Sequence, residues 1–183
     1  MSSEKQAQDF HTIRHRDTAQ DVFRTPNRLA RSLIQKVPFK PGDVLCDAFA
    51  GENYRPFYDN YPENTIRYWM EKKVGSDAFR CTDTFDWIIT NPPFSKLNNV
   101  MEYSTWACRK GFAYILPNHS LSYRRISMVE RRGFQISRLV SFPNPKGWNI
   151  GFSHMFVIWT RNEAALLGGY EEHKVVQTIL EDF

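Results

Sequence analysis

A buried strand that ends in two prolines is the feature that most constrains this chain. Residues 85–90 read Phe-Asp-Trp-Ile-Ile-Thr, and Trp87, Ile88 and Ile89 favour a pleated, packed surface. Asn91 and two prolines follow directly. Because neither proline can donate a hydrogen bond to a neighbouring strand, the strand must end here. Open α/β sheets bind their ligands at the carboxyl ends of central strands, so this corner is a candidate site.

The residues of the corner carry a family resemblance. Asn91-Pro92-Pro93-Phe94 resembles the Asn-Pro-Pro-aromatic signature of S-adenosylmethionine-dependent amino-methyltransferases. The exocyclic amine of a base is a poor nucleophile, because its lone pair is delocalised into the ring. The resemblance implies that the Asn91 amide oxygen and the Pro92 carbonyl, held in place by the prolines, accept hydrogen bonds from that amine and aim its lone pair at the methyl group.

Phe94 would offer a face on which a flipped base stacks. All four residues are therefore candidate catalytic residues. The alternative is a simple strand-ending turn with a packed phenylalanine, since Asn-Pro is a common turn signal.

A second strand opens into a glycine-containing turn upstream of this corner. Residues 43–53 resemble the Asp-x-Phe-x-Gly-x-Gly cofactor loop of the same family. The resemblance implies that Asp47 lies near the amino group of the cofactor, with Phe49 in the same loop. It also implies that Gly51 lets the backbone approach the ligand closely. Asn53 replaces the second glycine of the pattern, and asparagine tolerates left-handed geometry better than most residues.

A Thr-Pro pair precedes the glycine loop. Thr25 is a natural helix N-cap, and Pro26 suits the first helical position. The same pair resembles the segment that borders the methionine end of the cofactor in this family, where free backbone N–H groups meet a carboxylate. An ordinary capped helix is the alternative.

One acidic residue ends the predicted second strand, Thr65–Glu71, and a second, Asp77, follows it. Glu71 suits a ribose diol, whose two hydroxyls donate to a carboxylate. Asp77 resembles the acid that accepts from the adenine amine of the cofactor in the family, with Phe79 beside the ring. Most relatives place a helix between these two acids. Only five residues separate them here, so we expect that helix, and with it a strand, to be missing. Two solvated loop acids are the alternative.

The downstream sequence predicts two helices and three strands. They are a helix from Ser95 to Lys110 that ends at Gly111, a strand over 112–117, an arginine-rich helix over 123–132, and strands over 138–142 and 154–160. His119 follows the first of these strands. A loop histidine with no visible partner is more often a packing or surface residue, so it is not assigned to the catalytic set.

The loop 143–152 lies between the last two predicted strands. In the family, the corresponding loop helps to hold the base. Lys146, Trp148 and Phe152 supply a cation and two aromatic rings suited to that role, so they are candidate substrate-binding residues. Aromatic residues that merely close the core are the equally open alternative.

Composition sets broad limits on the chain. Its 183 residues, with 42% hydrophobic residues, predict one globular domain. The net charge of +4 permits a phosphate-backbone partner. The polar N-terminus and three widely spaced cysteines favour an intracellular protein without a zinc site, in the cytoplasm of a bacterial or virus-infected cell or in a nucleus. We expect a flexible tail over 1–20, a catalytic domain over 21–161, and a tail or docking helix over 162–183.

The order of these motifs resembles compact phage or bacterial DNA methyltransferases that act on adenine N6. The implied fold is α/β: a trimmed Rossmann-like class I methyltransferase sheet, mostly parallel, with a C-terminal antiparallel hairpin. The implied cofactor is S-adenosylmethionine, with no metal, and the implied substrate is DNA first and RNA second. The small remaining loops predict a short recognition site, or recognition supplied by a second subunit or a homodimer. Alternatives are cytosine N4 as the target, a protein glutamine methyltransferase, and an inactive nucleic-acid-binding subunit.

Overall fold

The computed structural model describes residues 24–148, 151–162 and 175–181, so the predicted tail over 1–20 lies outside the described residues. The helices and strands, in chain order, are α1 (Asn27–Ile34), β1 (Val44–Asp47), α2 (Pro56–Asn60), β2 (Ile66–Trp69), β3 (Phe85–Thr90), α3 (Leu97–Ala107), β4 (Cys108–Pro117), α4 (Tyr123–Glu130), β5 (Phe134–Ser141), β6 (His154–Arg161) and β7 (Val176–Ile179). Across these ranges, no helix has the length and apolar character that a membrane span requires.

Seven strands form one sheet in the order β2-β1-β3-β4-β6-β5-β7. Strands β2, β1, β3 and β4 run parallel to one another, while β6 runs antiparallel to both β4 and β5. Strand β7 adds a parallel edge next to β5. The predicted α/β fold, a mostly parallel Rossmann-like sheet with an antiparallel hairpin near its C-terminal end, is confirmed.

Strand β3 is buried along its whole length and places the predicted corner at the centre of the sheet. Its side chains alternate between the two faces, as a strand requires. Trp87 and Ile89 belong to the core cluster that includes α1 and α2, and Ile88 belongs to the cluster that includes α3. Helices therefore cover both faces of the sheet, which explains why the strand is apolar rather than alternating in polarity.

The segment between β2 and β3 is as short as the sequence predicted. Residues 70–84 are all described, and they hold two single-turn 3₁₀ helices, Lys72–Val74 and Ala78–Arg80, and no strand. Strand β2 is therefore an edge strand of the sheet, with Ile66 and Tyr68 about half exposed.

Two predicted element boundaries are wrong. The helix predicted over 95–110 is a 3₁₀ turn, Phe94–Lys96, followed by α3, and Gly111 does not end it but lies inside β4. Cys108, the first residue of β4, directly follows Ala107, the last residue of α3, and neither is a glycine or a proline. Here the pairing of β4 with its neighbours in the sheet overrides the local helical pattern.

Within the predicted tail or docking helix over 162–183, residues 176–179 form a strand, β7, and not a helix. Val175, Val176, Thr178 and Ile179 are β-branched, and a free strand edge at β5 is available to pair with them. The remaining residues of that predicted tail, 163–174 and 182–183, lie outside the described residues.

Gly111 has no room for a side chain. A Cβ there would lie 2.3 Å from the Trp159 carbonyl oxygen and equally close to the Trp87 ring. The Trp87 indole cannot easily move, because its Nε1–H donates to Asp43 Oδ2 at 3.1 Å and Lys110 Nζ donates to Asp43 Oδ1 at 2.6 Å.

We therefore predict that Gly111→Ala lowers the free energy of unfolding by about 1–3 kcal/mol, as overpacking does in other cores. Urea unfolding followed by tryptophan fluorescence measures this difference. Gly151→Ala is the matched control, because a Cβ at Gly151 meets no atom within 4 Å. Equal stability of the two variants would contradict the packing described for Gly111.

Candidate functional site

The carboxyl ends of β1, β2 and β3 surround a cleft of about 660 Å³. The predicted site residues that line it are Thr25, Asp47, Phe49, Gly51, Glu71, Asp77, Phe79, Asn91 and Pro93. Pro26, Pro92 and Phe94 are chain neighbours of lining residues but are not part of the lining. The predicted substrate residues Lys146, Trp148 and Phe152 also lie outside it. One cleft thus brings the predicted cofactor residues together with the Asn-Pro-Pro corner.

Asp47 places a buried carboxyl group at the cleft. The residue is 1% exposed, and neither carboxylate oxygen receives a hydrogen bond of normal length from the described residues. Burial raises its pKa to about 7, a shift that Thr90 and the backbone at Tyr58 and Phe49 offset only in part. A buried carboxylate without a partner is unfavourable. A cation in the cleft would therefore be stabilised beside Asp47.

A glycine with positive φ holds the turn after β1 close to the cleft. Gly51 has a φ of +82°, and a Cβ at this position would lie 3.1 Å from the Tyr54 carbonyl oxygen. The Gly51 N–H donates to Glu71 Oε2 at 3.1 Å, and the Ala50 N–H donates to the Met70 carbonyl. The glycine turn is therefore fastened to the end of β2, and only glycine adopts this backbone without strain.

The two predicted acids also cap short turns. Glu71 Oε1 accepts from the Lys73 N–H at 3.1 Å, and Asp77 Oδ1 accepts from the Phe79 N–H at 3.1 Å. Lys72 Nζ lies 3.8 Å from Asp77 Oδ2. An ionised carboxylate offers about four acceptor positions, so both acids keep capacity for a ligand in the cleft.

Aromatic rings form one wall of the cleft. The centroids of Phe49 and Phe79 lie 5.6 Å apart, and Phe79 is 37% exposed. Tyr103 contacts the other side of Phe79 edge-on, with 6.0 Å between the centroids. These rings offer an apolar surface suited to a flat heterocycle.

Thr25 orients the amide of Asn91. The amide Nδ2 donates to Thr25 Oγ1 at 3.3 Å, and Tyr54 Oη donates to the Thr25 carbonyl at 2.9 Å. The predicted role of Thr25 as an N-cap is wrong: α1 begins at Asn27, Pro26 is its N-cap, and no side chain caps it. Thr25 is instead buried against the corner, a long-range contact that local sequence does not reveal.

The carbonyls of the two prolines differ in their contacts. The Pro93 carbonyl accepts from the Lys96 N–H at 3.0 Å, which closes the 3₁₀ turn after the corner. Within the described part of the chain, the Pro92 carbonyl accepts no hydrogen bond. Pro92 therefore keeps an available acceptor next to Asn91.

Trp148 and Phe152 differ in exposure. Trp148 is 6% exposed, belongs to the core, and donates its Nε1–H to the Arg24 carbonyl at 3.2 Å. The core-closing alternative therefore describes Trp148. Phe152 is 36% exposed and Lys146 is exposed, so these two remain accessible to a substrate.

His154 is a site residue that the sequence reasoning missed. It is 1% exposed and stacks on Phe94, with 5.8 Å between ring centroids and 29° between the planes. Burial and the nearby His119 lower its pKa to about 4, so it is neutral at physiological pH. Its position as the first residue of a strongly apolar strand was the available signal, because a histidine there lies at the same edge as the corner.

The burial of Asp47 predicts how stability depends on pH. Its folded pKa of about 7 lies above the ordinary value of 3.8, so the folded state binds the proton more tightly than the unfolded chain. Stability is therefore lost as the pH rises from about 4 to about 7, by up to about 1.4 kcal/mol per pH unit. Asp47→Asn removes this loss.

Urea unfolding of the free protein at several pH values measures this effect. The stability of Asp47→Asn relative to the native chain should increase across the window and then level off. Asp83→Asn, at an exposed carboxyl group, is the control and should show no such trend. A parallel pH profile for the native chain and Asp47→Asn would contradict the described burial.

Comparisons with known proteins identify the fold. No protein-family profile matches this sequence, and no curated protein matches it. Among solved structures, the chain is similar to the M protein of the type I restriction enzyme EcoKI, with 14% identity, a TM-score of 0.56, and coverage of 82% of this chain and 46% of that protein. The chain thus spans less than half of that M protein.

Two further structures have the same architecture. A modification subunit assigned to a type I restriction enzyme from Vibrio vulnificus has a TM-score of 0.55 at 16% identity, covering 88% of this chain and half of that one. A protein from Listeria monocytogenes, assigned as a class I S-adenosylmethionine-dependent methyltransferase, has a TM-score of 0.53 at 9% identity, covering 85% and 64%. The chain therefore has the Rossmann-like fold of the class I S-adenosylmethionine-dependent methyltransferases.

Proposed function

We propose that this chain binds S-adenosylmethionine and transfers its methyl group to the exocyclic amine of a nucleic-acid base, N6 of adenine in DNA. One observation carries the proposal: the unpartnered carboxyl group of Asp47 and the amide of Asn91 line the same cleft. The reaction uses one group that binds the ammonium group of the cofactor and one group that orients the substrate amine.

The cleft fits the cofactor group by group. Asp47 would pair with the ammonium group, which would offset the burial of its carboxylate. Glu71 would accept from the ribose hydroxyls, and Asp77 from the adenine amine, with Phe79 against the ring. The backbone that follows Thr25-Pro26 at the start of α1 would meet the carboxylate.

The residues of the corner would orient the substrate amine. When bound, S-adenosylmethionine supplies an electrophilic methyl group on a sulfonium centre. The two N–H groups of the substrate amine would donate hydrogen bonds to the Asn91 amide oxygen and the Pro92 carbonyl. These bonds direct the nitrogen lone pair towards that methyl group. Thr25 keeps the Asn91 amide in this orientation. The corner needs no general base, because the amine proton becomes acidic once the nitrogen is methylated.

Nucleic acid is the substrate that the comparisons favour. Two of the similar structures are an M protein and a modification subunit of type I restriction enzymes. Because one of the similar structures is a modification subunit, we also propose that target recognition comes from a second subunit or a homodimer. The net charge of +4 suits a phosphate-rich partner. We place the reaction inside a cell, where S-adenosylmethionine and nucleic acid occur together.

An assay with methyl-labelled S-adenosylmethionine tests the proposal. The protein is incubated separately with unmodified DNA, RNA and protein pools, and the products are digested to nucleosides and amino acids. We expect the label in N6-methyladenine from DNA. Label in glutamine would overturn the proposed substrate. Cofactor binding without label in any pool would indicate the inactive binding subunit instead.

We predict that Asn91→Ala lowers the rate of methyl transfer by about 100-fold or more, the usual effect of removing one group that stabilises a transition state. Cofactor affinity should change little, because the side chain acts on the target amine. Single-turnover kinetics measure the rate, and calorimetry measures the affinity. Asn64→Ala is the matched control, since Asn64 is exposed and lies outside the lining of the cleft. A variant Asn91→Ala with most of its turnover intact would remove the corner from the reaction.

We predict that Glu71→Ala and Asp77→Ala each weaken cofactor binding by about 1–3 kcal/mol, the scale for losing a charged hydrogen-bond partner. Calorimetric titration with S-adenosylmethionine measures the change, and thermal unfolding verifies that each variant is folded. The control is Glu52→Ala, whose carboxylate lies at the cleft and pairs with Lys73 at 3.2 Å. Unchanged affinity in both test variants would remove the two acids from the cofactor site.

A further inference from the structure

Three segments on the substrate side of the corner carry positive charge and no negative charge. They are residues 91–99, 117–126 and 142–148 with 151–154, and we refer to them, including the first residues of α3 and α4, as the substrate loops. Their charged residues are Lys96, Arg124, Arg125 and Lys146, with no Asp or Glu in any of the three. Over the whole chain, acidic residues are almost as frequent as basic ones, 20 against 24. The charge of the substrate loops is therefore local, and it suits a phosphate backbone.

A continuous row of rings links the same loops. His154 stacks on Phe94, the His154 and Phe152 centroids lie 5.2 Å apart, and the Phe152 and His119 centroids lie 5.0 Å apart. Phe94 is half-buried, while Phe152 and His119 are exposed. The row thus leads from the corner outwards to the protein surface.

Two hydrogen bonds of Asn144 and one aromatic contact hold this row in place. His154 donates from Nδ1 to Asn144 Oδ1 at 3.0 Å, and Asn144 Nδ2 donates to the Phe152 carbonyl at 2.9 Å. Trp148 packs against the His154 ring from within the core, 4.9 Å between centroids. One asparagine therefore fixes both the buried ring and the backbone of the exposed one. Such pre-ordering reduces the entropy that a ligand must overcome.

We propose that the exposed end of this row, Phe152 and His119, is a stacking track for single-stranded nucleic acid. Nucleotides adjacent to the target base stack on these two rings, and the cations of the substrate loops contact their phosphates. The proposal rests on the proposed function, which places the target amine at Asn91 and Pro92, next to Phe94, and it names an unpaired strand as the substrate class.

The chemistry of the track favours an unpaired strand over a duplex. A ring can stack on a base only where the face of that base is uncovered, and in a duplex the neighbouring base pairs cover it. Lysine and arginine side chains alone would hold both forms of nucleic acid. The exposed rings therefore add affinity for the single strand specifically.

Fluorescence anisotropy with labelled oligonucleotides, without cofactor, tests the track. The probes are a single-stranded DNA, the RNA of the same sequence, and the DNA duplex. We expect the single strands to bind at least about 10-fold more tightly than the duplex. Phe152→Ala and His119→Ala should each weaken single-strand binding about 5- to 100-fold, the scale for losing one base stack. Phe152→Trp and His119→Phe should restore it. The two single strands together show whether the track distinguishes DNA from RNA.

Controls separate stacking from charge and from unfolding. Tyr68→Ala removes a half-exposed aromatic ring on β2, outside the substrate loops, and should leave binding unchanged. Lys146→Ala should reduce the dependence of log affinity on log salt concentration, whereas Phe152→Ala should leave that slope unchanged. Thermal unfolding verifies that each variant is folded.

Either of two results would overturn the track: duplex binding as tight as single-strand binding, or unchanged single-strand affinity in both alanine variants. The outcome is independent of catalysis, because neither cofactor nor turnover enters the measurement. If the track binds as expected but no methyl transfer occurs on any strand, the proposed function fails and the track stands. If duplex DNA is methylated at full rate by Phe152→Ala and His119→Ala, the proposed function stands and the track fails.

Discussion

The candidate site of this protein depends on one buried carboxyl group at the end of β1. Asp47 lines the cleft, yet no hydrogen bond of normal length from the described residues satisfies it. Backbone pairing fixes its place, since the Met70 N–H donates to the Asp47 carbonyl and joins the ends of β1 and β2. A protein that keeps such a group without a partner loses stability unless a ligand supplies the missing charge. The cleft is therefore best understood as a site that is completed by a cation.

Distant parts of the chain assemble around this group. The segment at Arg24 and Thr25 is held by Trp148 from one side and by Tyr54 from the other, and Thr25 in turn holds the amide of Asn91. The glycine turn is fastened to Glu71 in the same way. Thr25, Asn91 and the glycine turn at Gly51 are thus restrained by hydrogen bonds to residues far away in the sequence. This restraint is the pre-ordering on which orientation of a weak nucleophile depends.

Sequence reasoning succeeded where the signal was local. Strand β3 and the corner at Asn91 follow from an apolar run and two prolines, and the order of the motifs predicted the α/β fold. It failed where contacts between residues distant in the sequence determine the local structure. Gly111 was taken as the end of a helix, because nothing in its neighbourhood shows that Trp87 and Trp159 pack against it. The partner of Thr25 lies 66 residues away, and the stack of His154 on Phe94 joins two separate loops.

Calorimetric titration with S-adenosylmethionine at pH 6, in two buffers of different ionisation enthalpy, tests the role of Asp47 most directly. At this pH the carboxyl group of the free protein is mostly protonated, because its pKa is about 7. Pairing with the ammonium group of the cofactor requires the ionised form. The native chain should therefore release close to one proton per bound cofactor. Asp47→Asn should release none and should bind the cofactor more weakly. Equal affinity of the two proteins, without proton release by either, would contradict this role of Asp47.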